Sequence, residues 1–215
     1  MIRVLLLDDH AVVRTGYRRL IDAEDDFRVV AEAATADEAY ARLQVMDIDV
    51  AVVDLSLRGA SGIEAIRRML ARDPRLKVLV LSMHDSPGFV TQAMRAGALG
   101  YITKSSEPAE MLDAIRAVAS GRRVLSSDIA QTLATASLDG EQIMARLTPR
   151  EFEVLRMAAS GEPASLIASQ MHLSQKTISN HLSAIRQKLD VDSDFKLLRL
   201  AMRHGLVDFA AEMQC

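Results

Sequence analysis

The sequence is poor in the features that define secreted and membrane proteins. It contains one cysteine, Cys215, so we expect no internal disulfide bond and no thiolate metal site. Its longest apolar runs are much shorter than the ~20 residues that a membrane-spanning helix needs. Asp8 and Asp9 directly follow the first apolar run, where a secretory signal would have a small-residue cleavage site. These absences predict a soluble, cytoplasmic protein with no membrane partner.

An excess of basic residues is also missing. The net charge is −3, residues 1–121 hold 15 basic and 18 acidic residues, and residues 147–215 hold eight of each. A strongly basic nucleic-acid footprint is therefore absent, and any interaction with DNA must depend on local patterning. Apolar residues make up 49% of the 215 residues, which is enough for the cores of one large or two ordinary domains.

Residues 1–121 alternate short apolar runs with amphipathic segments. Several runs are almost continuously Val and Leu, which is typical of parallel strands covered on both faces. The intervening segments carry apolar residues at three- and four-residue spacing, as amphipathic helices do. The pattern predicts an α/β fold with a doubly wound, five-stranded parallel sheet. The five strands are RVLLLDD (3–9), RVVAEAA (28–34), DVAVVDL (49–55), KVLVLSM (77–83) and GYIT (100–103).

The alternation stops after residue 121. Residues 122–146 contain a possible short helix that starts at Ser126 or Ser127 and a turn-rich SLDGEQ segment, so we interpret them as a linker. Residues 147–215 have an all-helical pattern that opens with Thr148 as N-cap and Glu151 completing a capping box. The sequence therefore predicts a domain at 1–121, a linker at 122–146 and a small all-α domain at 147–215. In the last domain, helices are expected from Thr148 to Gly161 and at about 164–171, 174–189 and 193–204.

Polar side chains follow four of the five predicted strands. In an open parallel sheet, ligands bind beyond the carboxyl ends of the strands where the strand order reverses. If the order is 2-1-3-4-5, Asp8 and Asp9 after the first strand lie beside Asp54 after the third. Ser82 ends the fourth strand and Lys104 follows the fifth. Each residue alone could be an ordinary strand-end polar group, but the set together predicts phosphoryl chemistry with Mg²⁺.

The segments LLLDDH, VVDLSL, VLSMHD and GALGYITKS give residues 1–121 a clear resemblance to response-regulator receiver domains, which have a flavodoxin-like fold. The resemblance implies that Asp54 accepts a phosphoryl group. It also implies that Asp9, Asp54 and the backbone carbonyl of Ser56 bind Mg²⁺, with Asp8 acting partly through water. Lys104 would pair with the phosphoryl oxygens, Ser82 would hydrogen-bond them, and Tyr101 would turn inward as an aromatic switch.

Two positions depart from the receiver pattern. Leu57-Arg58 stand where the family often has Met-Pro, and Ser105 follows Lys104 where proline is common. Without proline, a cis peptide bond after Lys104 would cost ~2.5–4 kcal/mol. We expect both changes to alter loop dynamics and phosphoryl lifetime without removing a reacting group.

The histidines near these segments do not form a zinc-binding pattern, because no His-x₃-His spacing occurs. We expect His10 to lie at the surface, as the first residue of a helix, and to face away from the acidic cluster. His84 is expected on a loop without a partner motif.

One predicted helix of the second domain has an apolar and a polar face. Ile178, Leu182, Ile185 and Leu189 share one side, and the opposite side is rich in hydrogen-bond donors. By pattern alone, DNA binding and a four-helix dimerisation unit are equally favoured. The polar side carries Gln175, Lys176, Thr177, Ser179, Asn180, Ser183, Arg186, Gln187 and Lys188.

The segment LTPREFEVLRMAASGEPASLIASQMHLSQKTISNHLSAIRQKL resembles the helix-turn-helix of LuxR/NarL/FixJ regulators. The resemblance favours DNA binding, with the polar side of the 174–189 helix in the major groove. Ser179, Asn180 and Ser183 are the candidates for base contacts. The candidates for backbone contacts are Lys176, Thr177, His181 and Lys188. Relatives often have Ser-Asn-Lys at Pro163-Ala164-Ser165 and lysine at 179, so the preferred DNA sequence should differ.

Together these features predict a response regulator and transcription factor. A sensor histidine kinase would phosphorylate Asp54, and a homodimer would bind double-stranded DNA at a roughly palindromic site. The helix at about 193–204 could supply the dimer contact or belong to the core. Two alternatives stay open: a Mg²⁺-dependent phosphatase, whose nucleophile would lie on the first strand, and an adaptor that acts through protein contacts with weak or lost DNA binding.

Overall fold

The computed structural model describes residues 1–57, 61–138 and 143–207, and it divides the chain into two compact units. Arg58 and Cys215 lie outside the described residues. Among the described helices, none is long and apolar enough to cross a membrane. The first unit comprises Met1–Asp85 and Ala93–Gln131, and the second comprises Ser86–Gln92 and the described residues from Thr132 onward.

The first unit contains a parallel sheet with the strand order β2-β1-β3-β4-β5-β6. The predicted order of the first five strands is confirmed. Leu7 of β1 pairs with Val53 of β3, so these two central strands end at the same level of the sheet. The strands are β1 (Ile2–Leu7), β2 (Phe27–Ala33), β3 (Val50–Val53), β4 (Lys77–Ser82), β5 (Gly100–Thr103) and β6 (Val124–Leu125).

Helices lie between the strands, as the amphipathic spacing of the intervening segments predicts. All residues of β3 and β5 are buried, as their almost continuous apolar sequences predict. A buried apolar cluster joins side chains of β1–β5 to Ile21 of the first helix and to Ile115 and Val118 of the fifth. The helices are α1 (Ala11–Asp22), α2 (Ala36–Val45), α3 (Gly62–Arg72), α4 (Pro87–Ala96) and α5 (Pro108–Ala119).

The segment interpreted as a linker contains regular structure. The backbone N–H of Val124 donates to the carbonyl of Leu99 and that of Ser126 to Tyr101, so β6 extends the five-stranded sheet to six strands. Helix α6 (Ser127–Leu138) follows directly. A two-residue strand has no periodicity to recognise, and therefore the sequence predicted only the short helix.

The second unit contains the predicted helices of the C-terminal domain. The capping box between Thr148 and Glu151 is formed, and Asp190 ends the long helix with a left-handed φ of 54°. Within that helix Ile178, Ile185 and Leu189 are buried, as predicted. After a 3₁₀ turn at Ile143–Arg146 come α7 (Pro149–Ala159), α8 (Ala164–Gln170), α9 (Gln175–Leu189) and α10 (Asp194–Arg203).

Candidate functional site: a carboxylate cluster and a helix-turn-helix

Three aspartates meet at the carboxyl end of the sheet in the first unit. Asp8 and Asp9 follow β1, and Asp54 follows β3. One side-chain ligand atom from each of these residues and from His10 lies within 4.8 Å of the others. Asp8 and Asp54 are buried. Because like charges repel strongly where water is scarce, such a cluster requires a compensating cation.

Lys104, which follows β5, supplies a positive charge inside the cluster. Its Nζ atom lies 2.8 Å from Oδ2 of Asp8 and 2.7 Å from Oδ2 of Asp54. Burial lowers the pKa of Lys104, but the hydrogen bonds to Asp54 and Asp8 outweigh it, and the pKa is raised above its ordinary value. The ammonium group is therefore charged at neutral pH.

The backbone after Asp54 is held in a tight turn. The N–H of Ser56 donates to Oδ1 of Asp54 at 3.1 Å. Gly62, at the start of α3, lies so close that a Cβ atom there would be 2.5 Å from Cα of Leu55 and 2.7 Å from the carbonyl oxygen of Asp54. Only glycine fits at this position, so Gly62 is a site residue that the sequence analysis missed.

Ser82 and Tyr101 lie beside the cluster, and both are completely buried. The Tyr101 hydroxyl donates to the carbonyl of His84 at 2.6 Å, and the N–H of His84 donates to Oγ of Ser82 at 3.1 Å. Burial raises the pKa of Tyr101 well above its usual range, so the ring carries a neutral hydroxyl. Tyr101 was expected to turn inward as a switch. In this structure its ring is already buried, so no inward rotation is needed.

The two histidines of the first unit lie closer to the site than predicted. His10 does not face away: its Nδ1 atom is 2.8 Å from Oδ1 of Asp9, and its backbone N–H donates to Asp8. His84 bonds through Nε2 to Oγ of Ser56 at 3.2 Å. His10 is exposed, as predicted, but it is the N-cap of α1 and not its first residue, so it has an extended backbone and points toward the carboxylates.

The donor set fits a hard divalent cation. Mg²⁺ prefers oxygen ligands, and three carboxylates converge here from two strand ends. Asp8, Asp9, Asp54 and the carbonyl of Ser56 are the groups that would hold it. The site also holds a cation of its own at Lys104, as sites that bind phosphoryl oxygens do.

In the second unit, α9 presents the predicted polar face. Lys176, Ser179, Asn180 and Ser183 are exposed, whereas Thr177 and His181 are partly buried. Ser174 caps the helix by accepting from the N–H of Thr177. The hydroxyls of Ser179 and Ser183 donate to backbone carbonyls one turn earlier, so each keeps acceptor capacity towards a ligand.

Two basic side chains of α9 are bound within the unit. Lys188 Nζ lies 2.8 Å and 2.6 Å from the two carboxylate oxygens of the buried Glu151, and Arg186 is paired with Asp194. Burial alone would raise the pKa of Glu151. The hydrogen bonds from Lys188 and Thr148 lower it by more, so the pKa is below its ordinary value. The phosphate contact expected of Lys188 therefore competes with an intramolecular ion pair that joins α9 to α7.

Comparisons with known proteins cover both units. Residues 4–116 match the model of the response regulator receiver domain, and residues 145–201 match that of the bacterial regulatory proteins of the luxR family. This chain is a response regulator. It belongs to the group that joins a receiver to a LuxR-type DNA-binding domain, and members of this group are transcription regulators rather than metabolic enzymes.

The relatives of this response regulator match it over almost its whole length. It is 36% identical to the response regulator UvrY of Escherichia coli K12 over 209 residues, 96% of each chain, and 36% identical to the response regulator GacA of Pseudomonas aeruginosa over 214 residues, which is 98% of this chain and 100% of GacA. The structure of RcsB from Salmonella enterica bound to a promoter with the phosphomimetic BeF₃⁻ covers 93% of this chain and 97% of RcsB, with 28% identity and a TM-score of 0.75.

Proposed function

We propose that this response regulator binds promoter DNA in the cytoplasm and is switched by phosphorylation of Asp54 from a sensor histidine kinase. The observation that carries the proposal is the position of the Lys104 ammonium, 2.7 Å from Asp54 and 2.8 Å from Asp8 at a buried strand-end site. A carboxylate held this way is a nucleophile with a cation already beside it, ready to neutralise incoming phosphoryl oxygens.

The reaction follows from the groups at the site. A carboxylate oxygen of Asp54 bonds to phosphorus while the phosphorus–nitrogen bond of the phosphohistidine breaks, which leaves an acyl phosphate on Asp54. Bound Mg²⁺ would neutralise charge on the phosphoryl oxygens. Lys104 balances the negative charge of Asp8 and Asp54 beforehand and then pairs with the phosphoryl group. Hydrolysis of the acyl phosphate at the same site would reset the protein.

The switch begins at Ser82. Its hydroxyl oxygen accepts from the N–H of His84, and its side chain also hydrogen-bonds to the Tyr101 hydroxyl, so its proton would turn from Tyr101 to a phosphoryl oxygen on Asp54. A charge of about −1.5 to −2 appearing on Asp54 pulls on both Ser82 and Lys104. The Tyr101 hydroxyl donates to the His84 carbonyl, so a movement of Ser82 towards Asp54 is transmitted to the β4–α4 loop and to Tyr101.

DNA binding is assigned to α9. Ser179, Asn180 and Ser183 are exposed on one face and are proposed to reach base edges, while Lys176, Thr177 and His181 are proposed to contact phosphates. The promoter complex of RcsB supports DNA binding by this response regulator. A structure of two RcsB dimers on parallel DNAs supports a homodimer as the DNA-binding form.

Intact-mass measurement tests the phosphorylation step. The full chain is incubated with acetyl phosphate and Mg²⁺, and we expect a mass increase of one phosphoryl group. The increase should be lost in Asp54→Ala and kept in Asp25→Ala, which removes an exposed carboxylate. An adduct that persists in Asp54→Ala, or rapid turnover of unrelated phosphate esters as expected of a phosphatase, would overturn the proposal.

The pairing of Lys188 and Arg186 with acidic partners keeps a second function open, that of a protein-binding adaptor, because it lowers the positive charge that α9 offers to DNA. A gel-shift assay with genomic fragments at several salt concentrations separates the two. Salt-dependent binding of the phosphorylated chain supports the regulator, whereas no binding at low salt supports the adaptor.

A further inference from the structure

Thr103, the last residue of β5, is buried and lies at the centre of a small polar cluster whose outer members Ser105 and Asp128 are exposed. Its Oγ1 atom is 2.9 Å from Oδ2 of Asp128 and 2.9 Å from Oγ of Ser105, with Oγ of Ser106 at 3.3 Å. Asp128 belongs to the first turn of α6. The cluster therefore joins the β5–α5 loop to the helix that follows β6.

The proton arrangement in the cluster is fixed by its chemistry. The Thr103 hydroxyl has one hydrogen, which it donates to the Asp128 carboxylate. Ser105 and Ser106 are then the donors towards Thr103. Burial raises the pKa of Asp128, but the nearby Ser126 side chain and the hydrogen bond from Thr103 lower it by more, so the net pKa is below its ordinary value and the acceptor is ionised at neutral pH. A charge-assisted bond of this kind is stronger than one between neutral groups.

A second connection holds the same segment to β5. The N–H of Ser126, a fully buried residue, donates to the carbonyl of Tyr101 at 3.1 Å, and the first hydrogen bond of α6 runs from the N–H of Ala130 to the carbonyl of Ser126. The start of α6 is thus attached through its backbone at Tyr101 and through a side chain at Thr103.

Lys104 lies in sequence between Thr103 and Ser105 of the cluster. Its side chain bonds to Asp54 and Asp8, and its backbone N–H donates to the carbonyl of Ser82. A displacement of the Lys104 backbone would be passed to Thr103 and Ser105, because no proline restricts the backbone at position 105. The serine that departs from the receiver pattern at position 105 supplies a hydroxyl to this cluster.

We propose that the Thr103–Asp128 hydrogen bond is a latch on α6 that opens when Lys104 pairs with a phosphoryl group on Asp54. Thr103 is then a positioning residue that acts through Asp128. The inference rests on the proposed function, since it needs Asp54 as phosphoacceptor. Helix α6 is suited to transmit the change, because the boundary between the two compact units, after Gln131, falls inside this helix.

Hydrogen–deuterium exchange of the full chain tests the latch, with beryllofluoride and Mg²⁺ as the phosphoryl mimic. In the wild-type chain we expect beryllofluoride to slow exchange in a peptide covering residues 52–57 and to speed exchange of residues 127–131 by about five-fold, because the helix start loses an anchor. Thr103→Val removes the hydroxyl and keeps the β-branched shape. In Thr103→Val, residues 127–131 should already exchange at the faster rate without beryllofluoride. Adding beryllofluoride should change that exchange rate by less than about two-fold.

Thr103→Ser keeps the hydroxyl and should restore the wild-type response at residues 127–131, which separates the latch from a general packing defect. Protection at residues 52–57 should persist in all three proteins. An equal response of residues 127–131 in wild type and Thr103→Val, or no response there in the wild type despite protection at residues 52–57, would overturn the latch. Loss of protection at residues 52–57 in the wild type would instead contradict the phosphoacceptor role of Asp54 and, with it, the latch.

Discussion

At the scale of single residues, the account depends on charge balance in a buried site. Asp8 and Asp54 are buried and share one ammonium group, that of Lys104. Buried charges are tolerated when they are paired and hydrogen-bonded, and removing one partner leaves the other uncompensated. The aspartates and Lys104 could be read from the sequence because each directly follows a strong strand signal. The bonds of His10 and His84 could not, because they depend on how loops fold after the strands end.

Replacement of Lys104 by methionine tests this balance. Two buried carboxylates then lose their cation, and we expect the free energy of unfolding to fall by about 3 kcal/mol. Urea denaturation of the full chain measures the change. Millimolar Mg²⁺ should restore more stability to Lys104→Met than to the wild type, because the metal replaces the missing charge. Equal stability of both proteins without Mg²⁺ would refute the balance.

Gly62 gives a second test at this scale. Gly62→Ala places a Cβ atom against Leu55 and the carbonyl of Asp54, so we expect a loss of about 1–3 kcal/mol of stability and slower phosphorylation by acetyl phosphate. Gly16→Ala is the matched control: no atom lies within 4 Å of its Cβ position in α1, and helix propensity should stabilise it by up to about 1 kcal/mol. Equal effects of the two substitutions would contradict the close approach.

At the scale of helices and strands, long segments with a regular apolar repeat could be predicted from the sequence. Short segments, whose structure depends on tertiary contacts, could not. The five strands and the helices of the C-terminal domain have enough apolar repeats to specify type and approximate bounds. Strand β6 has two residues and becomes a strand only because the edge of β5 is available. The Lys188–Glu151 pair joins residues 37 positions apart, so no local pattern predicted it, and the DNA contact of Lys188 was expected from family resemblance alone.

Glu151 links the cap of α7 to α9. Glu151→Gln should lower the unfolding free energy by about 1–3 kcal/mol at neutral pH, since it weakens the cap and the pair with Lys188. The folded-state pKa of Glu151 is lowered, so its stabilisation is present above the unfolded pKa and is lost as pH falls through the folded one. Stability of the variant should therefore decline less on acidification.

Urea titrations at several pH values measure the effect of Glu151→Gln. Asp192→Asn serves as control, because it breaks an exposed pair with Lys196 on α10, and exposed pairs add little stability. Parallel acid profiles for wild type and Glu151→Gln would show that the carboxylate adds no pH-dependent stability.

Two lysines of α9 should have different roles, Lys176 in DNA binding and Lys188 in stability. Lys176 is exposed at the first turn, and Lys176→Ala should weaken DNA binding and reduce the salt slope by about one, without loss of stability. Lys188→Ala should chiefly destabilise the fold. Gel shifts over a salt series measure the effect on DNA binding, and urea denaturation measures the effect on stability. An unchanged salt slope in Lys176→Ala would show that Lys176 does not contact DNA phosphates.

At the scale of the whole molecule, a carboxylate cluster and a LuxR-type DNA-binding domain share one chain. The parallel sheet follows from the alternation of patterns along the sequence, whereas its 2-1-3-4-5 strand order was taken as a condition. The proposed coupling route could not be predicted, because Thr103 and Asp128 meet only when β6 places the start of α6 beside β5. A device of this kind depends on a few hydrogen bonds between segments that have no recognisable motif.

The central claim is that phosphorylation of Asp54 controls DNA binding. The most direct measurement is sequencing of sheared genomic DNA captured by the full chain, with and without acetyl phosphate and Mg²⁺, for wild type and Asp54→Ala. We predict that acetyl phosphate enriches a limited set of fragments sharing a roughly palindromic sequence for the wild type and leaves Asp54→Ala unchanged. The same enrichment in both proteins, independent of acetyl phosphate, would contradict the account.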